Sequence, residues 1–130
     1  MDTRKKILTA AQAVETVQRL RAEGRTFRFA TGCFDPLIAA HDLRLEQLRD
    51  GVARVMVIVT DPAQPILPAR ARAELVAALS VVDFVVLSEK ERLEDLLTQL
   101  EATEVLRGEA ADETLTRQLI YHVQTRQRAV

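Results

Sequence analysis

Val55-Met56-Val57-Ile58-Val59 is a continuous apolar run rich in β-branched residues, the pattern of a strand covered on both faces of a sheet. Three further runs flank it. Phe84-Val85-Val86-Leu87 lies on its C-terminal side, Phe27 to Thr31 on its N-terminal side, and Glu104-Val105-Leu106-Arg107 reads as a short fourth strand before Gly108. Helical patterns separate them. Thr9 and Gln12 form a capping box, and Val14, Val17 and Leu20 then recur at helical spacing until Gly24. A second helix is expected from about Ala40 to near Gly51, with Leu43, Leu45 and Leu48 on or near its buried side. Pro68 suits the first turn of a third helix running through Leu75, Val76 and Leu79. Ser88 and Glu91 predict a capping box for a helix reaching about Glu101, and Asp112 is read as the cap of a terminal helix carrying Leu115, Leu119, Ile120 and Val123.

A helix followed by four strand–helix units implies parallel pairing, hence an α/β, Rossmann-like doubly wound sheet with helices on both faces. The 130 residues, 48% hydrophobic and 28% charged, suit one domain spanning residues 1–130. A net charge of -1 argues against nonspecific nucleic-acid binding. The cations are 15 Arg and 3 Lys, and Arg grips phosphate or carboxylate in a fork. The one cysteine, Cys33, excludes a disulfide framework and a cysteine-based zinc cage. No apolar run approaches the roughly 18 residues of a membrane span, and the first residues lead into an amphipathic segment. The expectation is a cytoplasmic protein with no membrane partner.

In doubly wound sheets, ligands sit beyond the carboxyl ends of the strands, where the strand order reverses. That directs attention to residues 31–41, 60–72 and 107–113. The informative stretch runs from Phe29-Ala30-Thr31-Gly32-Cys33-Phe34-Asp35 to His41. A glycine directly after a strand admits a ligand close to the backbone. A histidine at a helix start lies where the dipole and free N–H groups favour an anion. Together they describe a phosphate site, although a tight turn with a surface histidine accounts for the same residues. Asp35 fits either a substrate contact or a turn cap, and Cys33 also fits a small buried filler. No His, Asp or Glu spacing matches a metal site.

Gly32-Cys33-Phe34-Asp35-Pro36-Leu37-Ile38-Ala39-Ala40-His41 resembles the first motif of the cytidylyltransferase-like nucleotidyltransferases, Gly-x-Phe-Asp-x-x-His-x-Gly-His. The branch it most resembles holds the adenylyltransferase domain of ADP-heptose synthase and glycerol-3-phosphate cytidylyltransferase. Leu20 to Arg25, Pro68 to Leu79, Val82-Asp83-Phe84-Val85-Val86 and Leu106-Arg107-Gly108 resemble further family stretches in the same order. The likeness covers about residues 7–110. It implies transfer of AMP or CMP from ATP or CTP, with Mg²⁺, to a sugar- or polyol-phosphate, with release of pyrophosphate. It also implies a homodimer and a place in lipopolysaccharide core biosynthesis.

Carried over residue by residue, the resemblance makes His41, Arg72 and Arg107 the catalytic candidates. Thr31, Gly32, Cys33, Phe34, His41, Arg72 and Gly108 become nucleotide-binding, and Asp35 substrate-binding. The first motif histidine is Ile38 here and the motif glycine is Ala40. An isoleucine donates no hydrogen bond, and losing one such donor costs about a hundredfold to a thousandfold in rate. The loop Asp61-Pro62-Ala63-Gln64-Pro65 has no lysine where relatives carry one. The terminal helix, about residues 112–127, matches no family motif. Two classes therefore stand: a nucleotidyltransferase, or a degenerate homologue that binds nucleotide or a partner without turnover.

Overall fold

The computed structural model describes residues 2–128. Five strands, β1 (Ile7–Leu8), β2 (Phe27–Gly32), β3 (Arg54–Thr60), β4 (Phe84–Ser88) and β5 (Val105–Arg107), alternate with five helices. The helices are α1 (Ala10–Ala22), α2 (Ala39–Glu46), α3 (Ala69–Ala77), α4 (Leu93–Gln99) and α5 (Glu109–Arg128). The strands form one sheet in the order β1-β4-β3-β2-β5, and every pairing is parallel. This is the Rossmann-like α/β architecture expected from the alternation.

The central strand shows why both faces are covered. Successive side chains on a strand point to opposite sides. Val55, Val57 and Val59 meet Leu45 of α2 and Ala73, Val76 and Ala77 of α3. Met56 and Ile58 meet Ala13 and Val17 of α1 and Leu93, Leu96, Leu97 and Leu100 on the α4 side. Ile58 is fully buried, and truncating such a side chain to alanine costs about 2–5 kcal/mol.

Several local expectations are corrected. Residues 7–8 form an edge strand against Val85 and Val86. Two residues are too few for periodicity to reveal, and only the neighbouring strand makes them β. Helix α2 ends at Glu46 rather than near Gly51. Leu43 is 70% exposed while Leu45 is fully buried, because residues two apart on a helix lie on nearly opposite sides. Leu75 is likewise exposed on α3. Pro68 is the N-cap of α3, one residue before its first turn. Ser88 makes no capping box: its hydroxyl donates to the Glu89 carbonyl, a short 3₁₀ turn at Lys90–Arg92 intervenes, and α4 stops at Gln99. Helix α5 starts at Glu109, so Asp112 lies inside its first turn and is not its cap. Ile120 and Val123 are exposed, and the side chain of Leu115 lies outside the described residues.

From β2 the chain steps to β3 and β4 in one direction, then returns to place β5 on the other side of β2. The reversal therefore falls between β2 and β5, and their carboxyl ends open onto the same crevice. The loop after β2 and the first turn of α5 meet there.

Candidate functional site

The loop after β2 turns sharply. Phe34 has φ of +52°, the left-handed region that non-glycine residues adopt at some energetic cost and that clusters at functional sites. The turn puts the Phe34 ring, fully buried, beneath two cationic or polar groups of α2. His41 lies 5.3 Å from it, ring centre to ring centre, and the Arg44 guanidinium carbon lies 5.6 Å from its centroid. His41 and Arg44 are three apart and share a helix face.

Ile38, the N-cap of α2, has no polar side-chain atom. Its backbone N–H instead donates to His41 Nδ1 at 2.9 Å, which leaves the ring proton on Nε2. Nε2 faces the first turn of α5, 2.9 Å from Asp112 Oδ1. The contact lies off the N–H direction, so this nitrogen, on a side chain only 1% exposed, makes no aligned hydrogen bond.

Asp112 is the centre of the cluster. Its Oδ2 accepts from the Cys33 backbone N–H at 2.7 Å and more distantly from that of Phe34 at 3.5 Å. Its Oδ1 accepts from Arg44 at 2.7 Å. Burial pushes the Asp112 carboxyl up, but His41 and Arg44 beside it outweigh that and hold it below the usual carboxylate range. Two glycines make the approach possible. A Cβ at Gly32 would collide with Asp112 Oδ2, and one at Gly108 would stand 2.6 Å from the Arg44 guanidinium. The result is an anion cradle of one backbone loop and two side chains at the strand-order reversal, with a carboxylate seated in it.

The other candidates surround this cradle in different roles. Arg72 is 1% exposed and its guanidinium is turned toward the chain itself. It donates to the carbonyls of Thr60 at 2.7 Å, Cys33 at 3.2 Å and Leu67 at 3.1 Å, and to Asp61 at 2.6 Å. It thereby ties the ends of β2 and β3 to the start of α3. Asp35 is buried and accepts the N–H groups of Ile66 at 2.6 Å and Leu67 at 2.8 Å, which fixes the loop after β3. Cys33 is buried, its sulfur 3.8 Å from the Thr60 hydroxyl. The Thr31 hydroxyl is buried without a hydrogen-bond partner. Arg107 is not brought to the cluster: it forms a two-pronged pair with Glu94 of α4, on the sheet face opposite α2. Gly108 borders the cradle through Arg44, and Ala40 lies exposed on the first turn of α2.

Two members were not singled out from the sequence. Arg44 carried a signal, its three-residue spacing from His41. Asp112 was read only as a helix cap within the 107–113 segment, with no signal of a site role, because only the fold carries α5 over the end of β2. Among the described residues, no group of three His, Cys, Asp or Glu side chains is placed to hold a metal ion. Among them also, no helix is long and apolar enough to cross a membrane.

No protein-family profile matches the chain. Curated relatives do. It is 33% identical over 113 residues to the bifunctional protein HldE of Acidiphilium cryptum, covering 80% of this chain and 23% of that protein. It is 35% identical over 112 residues to the HldE of Magnetococcus marinus, covering 79% of this chain and 23% of that one. The chain thus spans about a quarter of the length of these relatives. A crystal structure of the lipopolysaccharide core biosynthesis protein from Thermoplasma volcanium shares the fold, with a TM-score of 0.55 at 22% identity over 62% of this chain and 71% of the other. The chain is a homologue of part of the bifunctional HldE proteins, and this kinship bears out the resemblance to the cytidylyltransferase-like nucleotidyltransferases that its motifs carry.

Proposed function

We propose that this chain is a nucleotidyltransferase that moves AMP or CMP from ATP or CTP to a sugar- or polyol-phosphate, of the kind used in lipopolysaccharide core assembly. The observation that carries the reading is the anion cradle at the reversal of strand order. There the Cys33 N–H, His41 and Arg44 converge on one position above Gly32. Fixed, buried donors suit a phosphoryl group that gains charge during transfer. The kinship with HldE favours an enzyme over a binding-only homologue.

In the reaction, an oxygen of the acceptor phosphate attacks the α-phosphorus. The bond from that phosphorus to the bridging oxygen breaks, and pyrophosphate leaves with the electron pair. No covalent enzyme intermediate is needed; alignment and charge stabilisation do the work. His41 and the Gly32–Phe34 backbone hold the triphosphate, and Arg44 supplies the cation on the same helix face. Arg72 positions the loops that carry these groups. Arg107 reaches the phosphates only by leaving Glu94. Mg²⁺ enters with the triphosphate as part of the substrate, since its preferred ligands include phosphate oxygens.

The setting that fits these substrates is the cytoplasm, and the assembly we propose is a homodimer, which light scattering at micromolar concentration tests. The activity is tested by pyrophosphate release from ATP and CTP against a panel of heptose, glycerol and other polyol phosphates. Turnover with one pair, lost in His41→Ala, is expected. Robust turnover untouched by His41→Ala would remove this site from the chemistry.

A further inference from the structure

Asp112 does more than fill a corner. It sits in the cradle as an anion would, held by a backbone N–H from the β2 loop and a guanidinium from α2. We propose that the Asp112 carboxylate is an internal stand-in for a phosphoryl group, and that α5 must withdraw it from Cys33, His41 and Arg44 before an anionic ligand binds. The inference rests on reading the loop after β2 as the phosphate end of the nucleotide site.

The fit is imperfect in a telling way. A carboxylate has two oxygens. One is spent on Cys33 and one on Arg44, while His41 Nε2, 2.9 Å from Oδ1, makes no aligned hydrogen bond to it and the Phe34 N–H is reached only at 3.5 Å. Buried donors are nearly always satisfied in a settled core. A tetrahedral phosphoryl group offers a third oxygen and a larger radius, so it can engage the two donors that the carboxylate serves poorly. The cradle therefore has more donor capacity than its present occupant uses.

The occupant is carried by a helix that is largely solvent-exposed beyond its first turn. Beyond its first turn, α5 is exposed at Thr114, Arg117, Gln118 and residues 120–126. A second tie is the Thr116 hydroxyl, which donates to the Asp35 carbonyl at 2.7 Å. Beside it, between α5 and the loop after β3, lies a cavity of about 250 Å³ that reaches Cys33, Pro62, Gln64 and Ile120. A ligand entering there meets Thr116, one turn beyond Asp112 on the same helix. Because the binding-competent state is the one with Asp112 out, the wild-type affinity for a phosphate ligand is reduced by the fraction of molecules in that state.

Calorimetric titration of the full chain with inorganic pyrophosphate tests this. Asp112→Ala and Asp112→Asn are expected to bind pyrophosphate at least about tenfold tighter than wild type. The gain should vanish in Asp112→Ala combined with Arg44→Ala or with His41→Ala. In wild type, saturating pyrophosphate should speed amide exchange over residues 109–116 severalfold. An unchanged or weaker affinity in folded Asp112 variants overturns the proposal, as does a gain indifferent to Arg44 and His41. If neither Asp112 variant folds, the carboxylate is a structural tie rather than a displaceable occupant, and the proposal fails. The two readings separate cleanly. Absent nucleotidyl transfer with a retained pyrophosphate gain sinks only the enzyme, whereas turnover without the gain sinks only the stand-in.

Discussion

The carboxylate of Asp112 accepts the backbone N–H of Cys33 at 2.7 Å, joining the first turn of α5 to the loop after β2 across 79 positions of sequence. Such a bond to an ionised group gives the fold a definite acid sensitivity. The carboxyl is buried, which alone would raise its pKa, but His41 and Arg44 outweigh that and lower it. A carboxyl depressed in the folded state contributes stability that is present above its unfolded pKa, about 3.9, and lost as pH falls through the folded value. The wild-type melting temperature should therefore drop on acidification from about pH 5 downward. Asp112→Asn should melt lower at neutral pH and show a flatter acid limb. An acid limb as steep as wild type would show that other carboxylates set it.

Restoring the motif residues separates catalysis from binding. Ile38 caps α2 without a side-chain donor, and Ala40 is exposed beside it. Under the proposed nucleotidyl transfer, Ile38→His with Ala40→Gly restores a donor for charge that develops only in the transition state, so it should act on kcat more than on ground-state affinity. Pyrophosphate release should rise by about a hundredfold, with nucleotide affinity changed by no more than severalfold. Equal gains in both would place the new imidazole on the ground state.

Arg72 should behave as a structural residue. Its guanidinium serves three backbone carbonyls and Asp61 while only 1% exposed. Arg72→Met leaves buried carbonyls without donors and should cost about 2–4 kcal/mol in urea denaturation. Arg72→Lys should recover little, because an ammonium cannot reproduce the planar fork. Full stability in Arg72→Met would show that these bonds are replaceable by water.

Asp35 should govern the loop after β3. Removing its carboxylate in Asp35→Ala strips partners from the half-exposed N–H groups of Ile66 and Leu67, each charge-assisted bond being worth about 1.5–3 kcal/mol. Hydrogen exchange should accelerate at those two amides before it does in β3. Uniform acceleration across the sheet would instead mark a global loss of stability.

The fold was legible because its signals are local and repeated. Val55–Val59 reads as a doubly covered strand from five consecutive side chains, and Thr9 with Gln12 announces α1 within one turn; both bonds of that capping box form, at 2.9 and 3.1 Å. The same locality explains the failures. Ile7–Leu8 becomes a strand only because β4 offers an edge, and Ser88 loses its cap to a bond with the next carbonyl. At the site, the sequence alone marked the segment from Gly32 to His41 as a candidate anion site, since a glycine after a strand and a histidine at a helix start act within their own turn. What that segment holds was decided by tertiary structure. Arg72 turned inward because four acceptors, one from the loop after β2 and three from the end of β3 and the loop that follows it, converge on it. Arg107 turned to Glu94 because strand alternation points it to the α4 face. Asp112 reached Cys33 because the reversal of strand order brings β5 and its helix beside β2, and a contact between residues so far apart in sequence leaves no trace in the local pattern of either.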